Sequence, residues 1–237
     1  MNKPHVIGEG LIAKAFADSW FDDEVVIFAS GVSRSSETRQ SEFSRERELL
    51  NKALRKFQGS IFIYFSSTNV VLGRDSEYTK HKRNMEDLVK SCGCSFYIFQ
   101  LPQVVGVVNN NTLVSYLVRS LFAQSTLDVQ INAKRNLIGV EDLVRVVTEV
   151  VNSGRSANTV QIIASACNVS VVKIVEEIGA IMGLSPVFRM EERGDDQSVS
   201  IEFLESFLAP DDPLLQPNYW RNVLRYYVPR LMSRFCE

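Results

Sequence analysis

The chain opens with short apolar runs separated by polar segments, and the spacing between them predicts its elements. His5–Gly8 is a brief apolar approach to a turn, and Leu11–Trp20 follows with helical character. Glu24–Ala29, EVVIFA, is β-branched and aromatic, which predicts a buried strand. The polar stretch Ser33–Glu42 opens a helix running to Phe57, with Leu49, Leu50, Ala53, Leu54 and Phe57 on one face. Ser60–Phe65 predicts the next strand, Tyr78–Lys90 a helix with Met85, Leu88 and Val89 inward, and Ser95–Leu101 another strand. Strands alternating with helices at this pace predict a parallel sheet covered on both faces. After Pro102 the pattern loosens. Thr112–Phe122 is helical, Val129–Asn132 is a short strand, and Val140–Asn152 is an amphipathic helix. Thr159–Ala164 predicts a strand and Ser170–Met182 a helix ending at Gly183. Residues 190–200 are polar and predict a loop. The tail, after PDDP at 210–213, is rich in aromatic and arginine residues.

Composition bounds the class. The 237 residues are 45% hydrophobic and 23% charged, an ordinary globular balance. A formal net charge of -2 leaves no global basic field for nucleic acid. No run approaches the length of a membrane span. MNKPHVIGEG lacks the apolar core of a signal peptide, so a cytoplasmic protein is expected. Cysteines at 92, 94, 167 and 236 show no metal-ligand spacing; no metal site and reduced structural thiols are expected.

Two patterns carry chemistry. The first is Gly8-x-Gly10-x-x-Ala13 between a strand and a helix. It fits a dinucleotide fingerprint: a tight turn, a backbone open to a pyrophosphate, and close helix–strand packing. A purely steric glycine turn is the alternative. The acidic residue expected at the end of the following strand is missing, since that end reads Ala29-Ser30-Gly31. The second pattern is FSSTNVVLGRDSEYTKHK at 65–82. An apolar strand ends in Ser66, Ser67 and Thr68, and Tyr78 and Lys82 stand one helical turn apart. A cationic amine favours a phenolate, and a strand-end hydroxyl can hold a carbonyl or alcohol beside it. That is acid–base chemistry for alcohol–ketone interconversion. A chance pair on an ordinary helix is the alternative.

Taken in order, these motifs resemble the extended short-chain dehydrogenase/reductases, the NAD-dependent epimerase/dehydratase group acting on nucleotide sugars. VIGEGLIAKAF is similar to the family's glycine turn, EVVIFASG to the strand end beside the cofactor, and FSSTNVVLG to its SSxxVYG stretch. YTKHK carries YxxxK. QLPQVVG is similar to RxxNVYG with Gln100 and Gln103 in place of Arg and Asn, and KRNLIGVEDLVRVV to RxFxxVxDxA. The resemblance implies Thr68, Tyr78 and Lys82 as catalytic residues. It implies NAD or NADP held by Gly8, Gly10, Leu11, Ile12, Ala29, Ser30, Gly31, Arg34, Ser66, Tyr78, Lys82, Leu101, Gln103 and Val104. It implies a nucleotide sugar touched by Ser67, Thr68, Gln103, Asn111 and Arg135. Helices 41–57 and 78–90 are the implied homodimer contact. About a dozen residues separate Gly10 from Glu24, where the family has two more strands.

The expected architecture is α/β: a Rossmann-like doubly wound parallel sheet, truncated by two strands after the first βα unit, over residues 1–101 with later strands returning to it. Residues 102–237 are expected to form a substrate lobe and helical tail. The expected function is a nucleotide-sugar 4-ketoreductase or epimerase; the alternative is a degenerate binding or regulatory protein with weak or no cofactor binding. Other features keep two readings. The run 33–48 either contacts phosphate through Arg34 or is a solvated helix start. Asn109–Asn111 either bonds a sugar phosphate or makes a turn. His81 is expected at the surface, and Glu141-Asp142 as helix caps. The aromatic tail is expected to pack on the lobe or a second subunit.

Overall fold

The computed structural model describes residues 1–108 and 112–234. Its elements in chain order are β1 (His5–Ile7), α1 (Leu11–Phe16), β2 (Val25–Phe28), α2 (Gln40–Lys56), β3 (Ile61–Ser67), α3 (Glu77–Lys90), β4 (Phe96–Leu101) and β5 (Gln103–Val105). There follow α4 (Leu113–Phe122), β6 (Leu127–Gln130), β7 (Lys134–Gly139), α5 (Val140–Asn152), β8 (Thr159–Ile162) and β9 (Asn168–Ser170). The chain ends with α6 (Val171–Met182), β10 (Phe188–Glu191), α7 (Glu202–Phe207) and α8 (Tyr219–Ser233). The strands β5, β7, β9 and β10 were not expected from the pattern. β5, β9 and β10 are short, and β5, β7 and β9 find partners far along the chain, so pairing rather than local preference makes them strands.

The chain divides into two compact units. The first holds Met1–Leu101 and Glu141–Ile163; the second holds Pro102–Val140 and Ala164–Glu237. In the first, five strands lie in the order β1-β2-β3-β4-β8 and every pairing is parallel. Successive side chains alternate between the two faces. Val26, Phe28, Phe62, Tyr64, Phe96 and Ile98 meet Leu50 and Ala53 of α2 and Met85 and Val89 of α3 in one buried cluster. On the opposite face Phe65 stands beside Phe99, and Phe16 of α1 packs on Phe65 with ring centres 5.5 Å apart.

The hand of the first crossover follows from this. The chain steps in one direction along the sheet from β1 to β2 and again from β2 to β3. It carries α1 over one face and α2 over the other. Two such connections have opposite hands. The β2–α2–β3 and β3–α3–β4 units agree with each other, so β1–α1–β2 departs from the right-handed rule for parallel crossovers. β1 is the sheet edge and pairs only with β2, over three residues.

In the second unit β7 pairs with β5 in parallel and with β9 in antiparallel, and β6 pairs with β10. Helices α4, α6 and α8 pack on one another. Asn136 staples β7 to the segment after residue 163: its amide donates to the Ser165 carbonyl at 2.7 Å and its oxygen accepts from Ser165 N–H at 3.0 Å. Tyr219 of α8 accepts from Gly139 N–H at 3.0 Å, as expected of a tail that packs on the lobe.

The thiols differ from expectation. Cys92 and Cys94 are joined as a disulfide in the turn between α3 and β4. Gly93 between them has φ +73°, which lets so short a segment double back. Cys167 is free, and Cys236 lies outside the described residues.

The glycine turn yields a test. Gly8 has φ +135°, and a Cβ there would sit 2.4 Å from the Ala29 carbonyl oxygen, whereas a Cβ on Gly10 meets nothing within 4 Å. Gly8→Ala is expected to destabilise the fold by about 1–3 kcal/mol or more, and Gly10→Ala by under ~1 kcal/mol. Urea unfolding of the two variants beside wild type measures the difference.

Candidate functional site

One face of α2 carries Phe43, Glu46, Leu50 and Ala53, spaced by three, four and three residues, and all four are buried. Three of them are apolar. Glu46 is fully buried and reaches across to α3 and β3. Its Oε2 accepts from Val32 N–H at 2.6 Å and from His81 Nε2 at 3.0 Å. Its Oε1 accepts from the Tyr64 hydroxyl at 2.7 Å and from Lys82 Nζ at 3.0 Å. An ionised carboxylate only accepts, so His81 carries its proton on Nε2. Burial opposes this charge, but Lys82, His81, the Val32 amide and Tyr64 outweigh it and hold the Glu46 carboxyl below the usual carboxylate range. Burial, then the Glu46 charge, pushes the Tyr64 phenol well above its ordinary value, so it remains a donor.

Lys82 is buried, and its ammonium also donates to the Tyr64 hydroxyl at 3.1 Å. Two of its three N–H groups are thereby engaged within the protein. Tyr78 shares the face of α3 one turn earlier, and its ring centre lies 5.9 Å from Lys82 Nζ. The ring is buried against Val32 and Phe43. The helix is positioned at its start by Ser76, whose hydroxyl accepts from Thr79 N–H at 3.1 Å. The structure therefore brings Tyr78 and Lys82 together. Among the described residues no hydrogen bond joins Tyr78 to Thr68. Thr68 is buried, and its hydroxyl donates to the Leu101 carbonyl at 3.4 Å. Ser66 donates to Glu86 at 2.6 Å, and Gln100 donates to the same carboxylate at 2.9 Å. Ser67 accepts from Asn69 N–H at 3.3 Å and caps the turn after β3.

The glycine-turn residues lie at the carboxyl ends of β1 and β2. Gly8 abuts Ala29, and Gly10 opens α1 with free space where a Cβ would stand, followed by half-buried Leu11 and Ile12. Ser30 accepts from Arg45 at 3.4 Å. Gly31 lies against the ion pair: a Cβ there would stand 2.6 Å from Lys82 Nζ and 2.9 Å from Glu46. Arg34 is exposed. Leu101 ends β4 and is buried. Gln103 and Val104 begin β5 in the second unit and are half-buried. Arg135, also in the second unit, donates to Asp195 Oδ1 at 3.2 Å and to the Lys134 carbonyl at 2.7 Å. Asn111, with Asn109 and Asn110, lies outside the described residues.

Two expectations are corrected. His81 is not at the surface; it is 7% exposed, bonded to Glu46 and stacked on Phe43 at 4.6 Å. The run 33–48 is not wholly a solvated helix start, because Glu46 within it is the most connected carboxylate of the site. The spacing Phe43, Glu46, Leu50 was the available signal. Among the described residues no cluster of His, Cys, Asp and Glu has the arrangement of a metal site, and no helix is long and apolar enough to cross a membrane.

Removing one partner of a buried ion pair strands the other. Glu46→Ala is expected to cost about 3–5 kcal/mol in urea unfolding. The sign of the pH effect follows from the lowered carboxyl. Its stabilisation is complete above the unfolded value of 4.5 and drains away as pH falls toward the folded value. Wild type should therefore lose stability steeply below about pH 4.5, and Glu46→Gln should show a flatter acid limb.

No protein-family model matches the chain, and no curated protein matches it either. Solved structures do. RMD from Pseudomonas aeruginosa complexed with NADPH is 17% identical, with TM-score 0.70, over 92% of this chain and 84% of that one. MoeE5 in complex with UDP-glucuronic acid and NAD is 19% identical, with TM-score 0.69, over 89% and 79%. The Bordetella bronchiseptica enzyme WbmH with NAD+ is 16% identical, with TM-score 0.68, over 88% and 75%. At these identities the likeness establishes the fold: an α/β, Rossmann-like chain built on a five-stranded parallel sheet, with helices in its C-terminal lobe.

Proposed function

We propose that the chain is an NAD(P)-dependent nucleotide-sugar oxidoreductase, a 4-ketoreductase or epimerase serving deoxysugar and surface-polysaccharide synthesis. The Tyr78–Lys82 pair carries the reading. The two groups sit one turn apart with the ammonium 5.9 Å from the phenol ring centre. They lie near the start of α3, toward the carboxyl ends of the strands, where open α/β sheets take ligands. Neighbours of the same fold are described as bound to NAD+, NADPH or UDP-glucuronic acid, which supports the class.

The opposite hand of β1–α1–β2 supports a shortened sheet. In a doubly wound sheet the first helix belongs to the half that winds the other way. Removing two strands after α1 leaves that helix on its original face while the chain enters β2 on the other side.

The residues present fit a dinucleotide at two places. Gly10 leaves room for a pyrophosphate. Lys82 keeps one N–H beyond those given to Glu46 and Tyr64, suited to a ribose hydroxyl. A bound nicotinamide would supply or accept the hydride. Tyr78 exchanges the proton with the sugar oxygen, Lys82 provides the positive charge beside it, and Thr68 orients that oxygen. Gln103, Val104 and Arg135 belong to the same reading. A cytoplasmic homodimer contacting through α2 and α3 completes it.

A second reading rests on Glu46. Its carboxylate neutralises Lys82 inside the protein, so the pair is self-sufficient and the fold can serve as a binding or regulatory module. Thermal shift with NADH and NADPH separates the two: stabilisation favours the enzyme, and none favours the module. Tyr78→Phe is expected to lower kcat by about 100-fold or more while cofactor affinity stays unchanged. Turnover of nucleotide sugars at the wild-type rate by Tyr78→Phe would remove the mechanism.

A further inference from the structure

We propose that the Cys92–Cys94 disulfide is a thiol–disulfide exchange site whose co-substrate is a dithiol, carried by a small molecule or by a partner protein. The pair is oxidised in the structure and occupies the turn between α3 and β4. It cross-links that turn only to itself. A disulfide stabilises a fold chiefly by restricting the unfolded chain, and the restriction shrinks with the loop it closes. Here the loop holds a single intervening residue, Gly93. The backbone already anchors both ends of the turn. Cys92 N–H donates to the Val89 carbonyl at 3.1 Å, and the Ser95 carbonyl accepts from Phe62 N–H of β3 at 2.8 Å. An oxidised pair that adds so little to the fold is left with its reactivity as its distinguishing property. On the cytoplasmic placement proposed above, the disulfides that form are chiefly transient and catalytic or redox-sensing ones.

The turn is open to an attacking thiolate. Cys92 and Cys94 are half-buried, and Ser91, Gly93 and Ser95 around them are exposed. A Cβ added to Gly93 would meet nothing within 4 Å. The two sulfurs are not equivalent. Cys94 N–H donates to Cys92 Sγ at 3.2 Å, whereas Cys94 packs against the apolar cluster of α2, α3 and the sheet. A donor favours negative charge on Cys92, and apolar neighbours disfavour it on Cys94. In the first step a thiolate of the dithiol attacks Cys94 Sγ. A mixed disulfide forms, the Cys92–Cys94 bond breaks, and its electron pair stays on Cys92 Sγ, which then takes a proton from water. In the second step the other thiolate of the co-substrate attacks its own sulfur in the mixed disulfide, and Cys94 leaves and is protonated. Two electrons pass to the protein: the dithiol becomes a disulfide, and Cys92 and Cys94 become thiols. Tyr78 lies near the start of the 14-residue α3 and Cys92 follows its end, on the order of 20 Å away. The exchange site therefore goes beyond the oxidoreductase reading and does not depend on it.

Acid-quenched alkylation and peptide mass spectrometry of the full chain test it, with dithiothreitol and reduced thioredoxin as separate probes in buffer without denaturant. Both thiols of the pair are expected to appear while the chain stays folded, at a rate within about 10-fold of that in urea, since access is not limiting at an exposed turn. Far-UV circular dichroism should be unchanged on reduction, and the thermal midpoint should move by less than about 5 °C. Brief exposure to glutathione, a monothiol, should leave its adduct on Cys94 and a free thiol on Cys92. Cys167→Ser should exchange as wild type. Reduction by dithiothreitol alone supports a small-molecule co-substrate, and reduction by thioredoxin as well supports a protein one. A pair that neither probe reduces until urea unfolds the chain, or whose reduction abolishes the far-UV signal, overturns the site. So does a folded chain in which Cys92 and Cys94 stay free thiols under oxidised glutathione. NADH binding, measured on the same samples, bears only on the oxidoreductase reading, so the two fail separately.

Discussion

A single carboxylate organises the first unit. Glu46 is sealed from water, and an isolated charge there would be ruinous. It persists because four donors converge on it from separate places: the Val32 amide after β2, Tyr64 on β3, and His81 and Lys82 on α3. Each donor is in turn fixed by the carboxylate. The position of α2 against α3, the path of the loop after β2, and the placement of Lys82 beside Tyr78 are one constraint seen from three sides. A buried network of this kind is specific in geometry, because partial satisfaction is costly.

This constraint decides how the Tyr–Lys pair is to be understood. A lysine free to swing would make its distance to Tyr78 a matter of chance. Here the ammonium is pinned by Glu46 and Tyr64, and Gly31 is required to be small because the pinned pair lies against it. The pinning supplies preorganisation if Tyr78 exchanges protons with a substrate. It equally supplies an interior that is complete without one. The geometry of the pair is common to both readings, and ligand binding is what divides them.

Much of the architecture was legible in the sequence. EVVIFA, SIFIYF and SFYIFQL announced the three central strands, and the Leu50–Ala53 and Met85–Val89 spacings announced the faces of α2 and α3 that cover them. These are local signals, strong where one face is apolar. What escaped was non-local. Glu46 reads as one charge among many in SRERE, and only its partners 14 to 36 residues away make it interior. His81, between two lysines, looked solvated for the same reason. The short strands of the second unit have no period of their own to read. That Tyr78 and Lys82 share one face of α3 was legible because helical spacing is a local rule; that Ser66 bonds Glu86 and Thr68 bonds the Leu101 carbonyl was not.

The outer rim of β1 has a consequence for solubility. A strand with one neighbour leaves a row of backbone groups able to recruit another chain, a known route to aggregation. β1 limits that danger by its brevity, three residues bonded to β2. The backbone just before it is occupied as well, since Asn2 and Phe21 pair across the α1 return loop. A template this short gives a foreign strand little to register on, which limits self-association along that margin.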